Sequence, residues 1–134
     1  MEELMEETFE YLENAIEILV LYQHKQIPLS CDGCPVITQN DMNCAFSHEE
    51  PGEDAVWFNR LTSKEYFSCP LSMIPLVIYE LYDQYSFIKE FGTPMYPKET
   101  SALFWWFVKQ YNATTVRIEN KLQEKNTHDA KRKQ

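Results

Sequence analysis

All four cysteines of this 134-residue chain lie in one stretch, between residues 31 and 69. Cys31 and Cys34 form a Cys-x-x-Cys pair, and Cys44 and Cys69 follow singly. Residues 28–52 lack the periodicity of a helix or a strand, whereas the sequence on either side is patterned for long helices. The chain therefore has to hold an irregular segment that carries cysteines against a helical framework.

Apolar residues at helical spacing predict an all-α fold, a small helical bundle of three long helices and one short one. The long helices are predicted over residues 3–26, from the N-cap Ser72 to Gly92, and from Pro97 onward. The short helix is predicted over residues 53–66. Short connections then place the metal-binding cysteine loop at one end of the bundle. The predicted core-facing residues include Leu12, Ile16, Leu19, Tyr11, Tyr22, Ile78, Leu81, Tyr85, Leu103, Phe107, Tyr111, Thr114 and Ile118.

Length and charge restrict the organisation, the partners and the compartment. Residues 1–126 are predicted to form a single domain, and residues 127–134 a polar, disordered tail. The net charge of −9 argues against a nucleic-acid partner, because the phosphates would be repelled. No apolar run reaches the roughly 20 residues that span a membrane. The acidic start is unlike a secretory signal, so a cytoplasmic protein with reduced thiols is expected.

Four cysteines in a reducing compartment indicate metal ligands or redox chemistry rather than structural bridges. Structural zinc usually takes two close pairs of ligands, and the second pair is missing here. The Cys-Pro steps after Cys34 and Cys69 resemble the step at a cluster ligand of bacterial ferredoxins, a resemblance limited to the dipeptide. The sequence therefore predicts one iron–sulfur cluster, of the 4Fe–4S type, bound by Cys31, Cys34, Cys44 and Cys69.

Two alternatives remain open on the same residues. One is an interaction adaptor in which the four cysteines hold a structural zinc ion, and the other is a thiol oxidoreductase that uses Cys31 and Cys34. His24 and His48 are weaker candidates to replace a cysteine at the metal. The first turn of the helix after Cys69 is expected to point N–H groups at that thiolate and to favour its negative charge.

Other common site motifs are missing from the sequence. Three glycines are too few for a phosphate-binding loop, and no Glu-x-x-His motif for a di-iron bundle occurs. The many glutamates are interpreted as solvated helix faces. Since four cysteine ligands leave no iron obviously open to substrate, electron transfer or redox sensing for a protein partner is favoured over catalysis.

Four consecutive aromatic residues, Phe104, Trp105, Trp106 and Phe107, interrupt the amphipathic pattern of the last helix. At 100° per residue they cover most of the helix circumference, so one core cannot take them all. Either the last helix is buried on several sides, or the run forms an aromatic surface that binds a second copy or a protein partner. Trp105 lies about 160° from Leu103 around the helix and is predicted to be off the core face.

Overall fold

Three α-helices make up most of the part of the chain that the computed structural model describes, which comprises residues 2–27, 42, 44, 55–92 and 102–132. The mostly helical character that the sequence predicts is confirmed. The helices are α1 (Glu2–Gln23), α2 (Leu76–Phe91) and α3 (Ala102–Arg132). Helix α3 continues through residues 127–132, where a disordered tail was expected, with exposed side chains up to Asp129. The bounds of the single domain stay a prediction.

Residues 57–66 form a β-hairpin, within the segment 53–66 for which a short helix was predicted, and that prediction is wrong. Strands β1 (Trp57–Asn59) and β2 (Lys64–Tyr66) pair in antiparallel register. The side-chain oxygen of Asn59 accepts hydrogen bonds from the backbone N–H groups of Leu61 and Thr62, at 2.8 and 3.1 Å. In a helix these two N–H groups would donate to backbone carbonyls, but here the Asn59 side chain accepts their hydrogen bonds. The turn can therefore form in place of a helix, although the spacing of apolar residues is helical.

The ends of the helices follow local chemistry. Helix α1 stops at Gln23, before the predicted stop at Pro28, because Lys25 adopts a left-handed conformation with φ of 60°. The N–H of Gln26 then donates to the carbonyl of Leu21 at 2.8 Å, as in a Schellman cap. Helix α2 ends as predicted, with Gly92 at φ of 75° and its N–H bonded to Ile88.

The start of α2 differs from the prediction. Ser72 does not cap it but lies in a 3-10 helix, Pro70–Met73, and Pro75 occupies the position before the first residue of α2. The proline at residue 75 lacks an N–H and is held in an extended conformation, with ψ of 157°, so the helical pattern restarts after it.

Helix α1 lies at the centre of the described core. Its residues 15–21 are all buried, and a run of that length covers every face of a helix. Phe9, Glu17 and His24 contact α3 at successively later residues, so α1 and α3 run parallel. The predicted core residues Tyr11 and Tyr22 are instead exposed.

On α3 the buried stripe is Phe104, Phe107, Thr114 and Ile118, with Tyr111 partly buried. Leu103, predicted to face the core, is exposed, and Phe104 takes its place. The stripe therefore begins one residue later than the sequence pattern indicates.

Candidate metal centre

The predicted metal centre lies only partly within the described residues. Cys31, Cys34 and His48 fall outside them, so their positions stay a prediction, while Cys44 and Cys69 are both half-buried. Within the described ranges, no group of three or more His, Cys, Asp or Glu side chains is positioned to bind a metal ion. The described part of the chain therefore supplies half of the predicted ligand set.

Cys69 is held in a well-defined turn. It precedes the 3-10 helix with φ of −53° and ψ of 122°. Its carbonyl oxygen accepts two hydrogen bonds from Ser72, one from the backbone N–H at 3.0 Å and one from the hydroxyl at 2.6 Å. Ser68 and Pro70, its neighbours on either side, are both buried. The backbone of Cys69 is thereby fixed, which restricts where its thiol can reach.

The helix-dipole argument for Cys69 needs correction. The N–H groups of a long helix were expected beside this residue, but α2 begins at Leu76, beyond the 3-10 helix and Pro75. A four-residue 3-10 helix has too few aligned peptide units to produce a comparable dipole. The setting of Cys69 is therefore determined by packing and by the turn bonded to Ser72.

The hairpin leads the chain back to the core immediately before Cys69. Tyr66, the last residue of β2, is buried and its ring lies 5.3 Å from that of Trp57 on the opposite strand. The N–H of Val56 donates to the carbonyl of Tyr66 at 2.8 Å. The segment between Cys44 and Cys69 thus contains a β-hairpin that packs on the core, and Cys69 follows three residues after its second strand.

A buried ion cluster that the sequence interpretation missed lies beside the hairpin. Glu17 of α1 is only 3% exposed, contrary to the interpretation of the glutamates as solvated faces. Its two carboxylate oxygens lie 2.9 Å from Nζ of Lys64 and 2.7 Å from Nη2 of Arg117. The sequence signal was available, because Glu17 is the one charged residue within the apolar run of residues 15–21.

The charges around Glu17 determine its ionisation. Burial by itself raises the pKa of Glu17, but the hydrogen bonds and charges of Lys64 and Arg117 outweigh burial, and the resulting pKa lies below its usual value. The same cluster affects Tyr66, whose pKa is raised to about 12 by burial and by the negative charge of Glu17. The carboxylate is therefore ionised and the phenol neutral near neutral pH.

This lowered pKa predicts a contribution to stability that depends on pH. A carboxylate whose pKa is lower in the folded than in the unfolded state stabilises the fold above the unfolded pKa, and the contribution is lost as pH falls through the folded pKa. We expect Glu17→Gln to reduce the free energy of unfolding at about pH 7 and to matter less near pH 3, below the unfolded value of about 4.3. Urea unfolding of both proteins at each pH measures this, and a difference that stays constant with pH would contradict it.

His24 has partners at both ring nitrogens. Nδ1 donates to the carbonyl of Val20 at 2.9 Å, and Nε2 lies 3.4 Å from a carboxylate oxygen of Glu119 on α3. This histidine therefore links α1 to α3, which weakens its candidacy as a replacement metal ligand.

The aromatic run of α3 is divided between core and surface. Phe104 and Phe107 are fully buried, and the ring of Trp106 lies 5.1 Å from that of Phe9 on α1. Trp105 is 57% exposed, as its helical angle predicts. Three residues of the run, Phe104, Trp106 and Phe107, thus pack in or against the core, and the fourth, Trp105, is exposed.

None of the described helices is both long and apolar enough to cross a membrane. Comparison of the chain with protein-family models, with curated proteins and with solved structures found no significant match.

Proposed function

We propose that this chain is a small cytoplasmic iron–sulfur protein that carries electrons or senses redox state for a protein partner. One cluster, of the 4Fe–4S type, is held by Cys31, Cys34, Cys44 and Cys69. The observation that carries the proposal is the setting of Cys69, a half-buried cysteine on a fixed turn at the core.

The contacts of the described residues suit a role as scaffold. A cluster ligand has to be kept in place and shielded from water, because solvent exposure and hydrogen bonding to sulfur both alter the reduction potential. On the Cys69 side, Cys69 itself packs against the core, and its neighbours Ser68 and Pro70 are buried. When bound, the cluster would accept or donate one electron, and the half-burial of Cys44 and Cys69 would leave it near the surface for exchange with a partner.

Metal analysis under anaerobic conditions tests the proposal. Protein purified without oxygen should contain iron and acid-labile sulfide, with broad visible absorption that bleaches on reduction. Reconstitution with iron and sulfide should restore the absorption after loss in air. Stoichiometric zinc without sulfide, after both purification and reconstitution, would contradict the proposal and favour the structural zinc site.

The partner is proposed to bind where Trp105 is exposed. Residues seven and eleven positions later in a helix fall within about 20° of the same face, so Asn112 and Val116 share the face of Trp105, about two and three turns further along. Both are exposed, and Val116 adds apolar area. An exposed Trp forgoes a burial free energy of about 2–3 kcal/mol, and Trp residues often dominate binding at interfaces.

Trp105→Glu should therefore remove an association without harming the fold. We expect a lower mass by light scattering, or loss of a copurifying protein, with helicity and iron content unchanged. Val116→Ala on the same face is the milder companion variant and should weaken association less. A wild-type protein that is a monomer without partners, combined with unfolding of Trp105→Glu, would show that Trp105 serves the core.

A further inference from the structure

Glu17 connects the cysteine-bearing part of the fold to the helices. The carboxylate belongs to α1, Lys64 to β2 and Arg117 to α3, so one buried side chain joins three elements. The side chain of Glu17 is 4% exposed, while those of Lys64 and Arg117 are 48% and 46% exposed. The two cations already reach solvent, whereas the shielded carboxylate depends on them to compensate its charge.

Because the carboxylate is buried and its cations are not, the ion pair between Glu17 and Lys64 holds the hairpin against α1. A buried carboxylate that loses one of its cations is left partly uncompensated, which is strongly unfavourable. The charged and titratable groups around the Glu17 carboxylate include Lys64 and Tyr66 from the hairpin and Arg117 from α3, and Glu10 and Glu13 of α1 line the same surface cleft. Among them Lys64 is the hairpin's cation, so any displacement of β2 away from α1 separates it from Glu17.

The chain between Lys64 and Cys69 is only four residues long, and two of the four are buried. Tyr66 and Ser68 are buried within it, and Lys64 itself pairs with Asn59 across the hairpin. Because this connection is short, a displacement of Lys64 should also displace Cys69. On the other side, the turn bonded to Ser72 fixes Cys69 to the 3-10 helix.

We propose that the ion pair between Glu17 and Lys64 positions Cys69, so that Lys64 and Glu17 determine how far the Cys69 thiol is exposed and how readily it reacts. The purpose of this positioning rests on the proposed function, in which Cys69 is a cluster ligand. Lys64 and Glu17 act through the backbone of β2 and are positioning residues. Arg117 shares the carboxylate but lies on α3, and therefore serves as the matched comparison.

Thiol labelling tests the inference without any metal. In reduced, metal-free protein with Cys31, Cys34 and Cys44 replaced by serine, Cys69 is the single thiol, and its rate of alkylation by iodoacetamide reports local opening. Lys64→Met should raise this rate about tenfold, because opening the hairpin no longer separates an ion pair. Lys64→Arg should keep the slow rate, and Arg117→Met should change it less than about twofold.

The comparison between the two cations decides the outcome. Equal acceleration by Lys64→Met and Arg117→Met would overturn the inference, because it would show general loosening of the fold. An unchanged rate in Lys64→Met would overturn it as well. If Lys64→Met fails to fold, Lys64→Gln removes the same positive charge, keeps a polar side chain at this exposed position and leaves the pair with Arg117 intact, so it should give the same acceleration.

A second measurement separates this inference from the proposed function. In protein with all four cysteines and loaded iron, Lys64→Met should speed the loss of iron to a chelator, and Arg117→Met should not. Failure of the wild type to bind iron would refute the proposed function alone, since the labelling contrast would still decide whether Lys64 positions Cys69. Slow iron loss in every variant, with an unchanged labelling rate, would refute the positioning inference alone.

Discussion

Replacing Cys69 by alanine is expected to abolish the proposed metal centre while leaving the three helices folded. The half-buried thiol lies outside the fully buried core, so its loss removes a ligand and little packing. A cluster held by four cysteines loses one of its iron–protein bonds and becomes labile to solvent. Iron and sulfide content, with circular dichroism for helicity, measures the two parts of this expectation.

The matched control for Cys69→Ala is Ser68→Ala. Ser68 is the neighbouring residue and is more deeply buried, but it carries no thiol. It should keep a full complement of iron. If Cys69→Ala kept its iron and Ser68→Ala lost it, local packing would matter more than the thiol. In that case Cys69 would not be a ligand, and His48 would become the next candidate.

Replacing Phe107 by alanine should have the largest effect on stability. Phe107 is completely buried, and its ring stacks on that of Tyr111, one turn later in the same helix, with the ring centres 5.6 Å apart. Truncating a buried Phe typically lowers the free energy of unfolding by about 3–5 kcal/mol, through lost burial and the cavity that remains. Single domains are stable by about 5–15 kcal/mol, so the variant should be close to unfolded under mild denaturant.

Urea unfolding followed by circular dichroism measures this loss. Val116→Ala, on the exposed face of the same helix, should change the free energy of unfolding by no more than about 0.5 kcal/mol. A loss below about 1 kcal/mol in Phe107→Ala would mean that the site collapses around the smaller side chain, and that the described core is less tightly packed than its burial indicates.

The features that sequence could predict are local ones. The end of α2 at Gly92 follows from a glycine that tolerates positive φ, and the outward position of Trp105 follows from 100° per residue. The hairpin was missed because the turn at Asn59 outweighed a helical spacing of apolar residues. Whether the turn or the helix forms depends on hydrogen bonds from the backbone to the Asn59 side chain, and the spacing of apolar residues carries no information about such bonds.

In the candidate site, too, local features could be predicted from the sequence and contacts between distant segments could not. The cysteine spacing indicates a shared centre, but where each thiol lies depends on contacts between distant segments. Glu17 was misinterpreted because its partners, Lys64 and Arg117, are remote in sequence and become neighbours only when the chain folds. The turn that fixes Cys69 depends on a 3-10 helix of four residues, too short to give a periodic signal.

The parallel contact between α1 and α3 has a consequence during synthesis. The apolar run at residues 15–21 is buried partly by α3, which begins only at Ala102. Ribosomes add about 5–20 residues per second, so this run waits for several seconds before its partner emerges. Contacts so distant along the chain also slow folding through the entropy of closing a long loop. The newly made chain is therefore most exposed to aggregation or chaperone capture at α1, the segment that ends up most deeply buried.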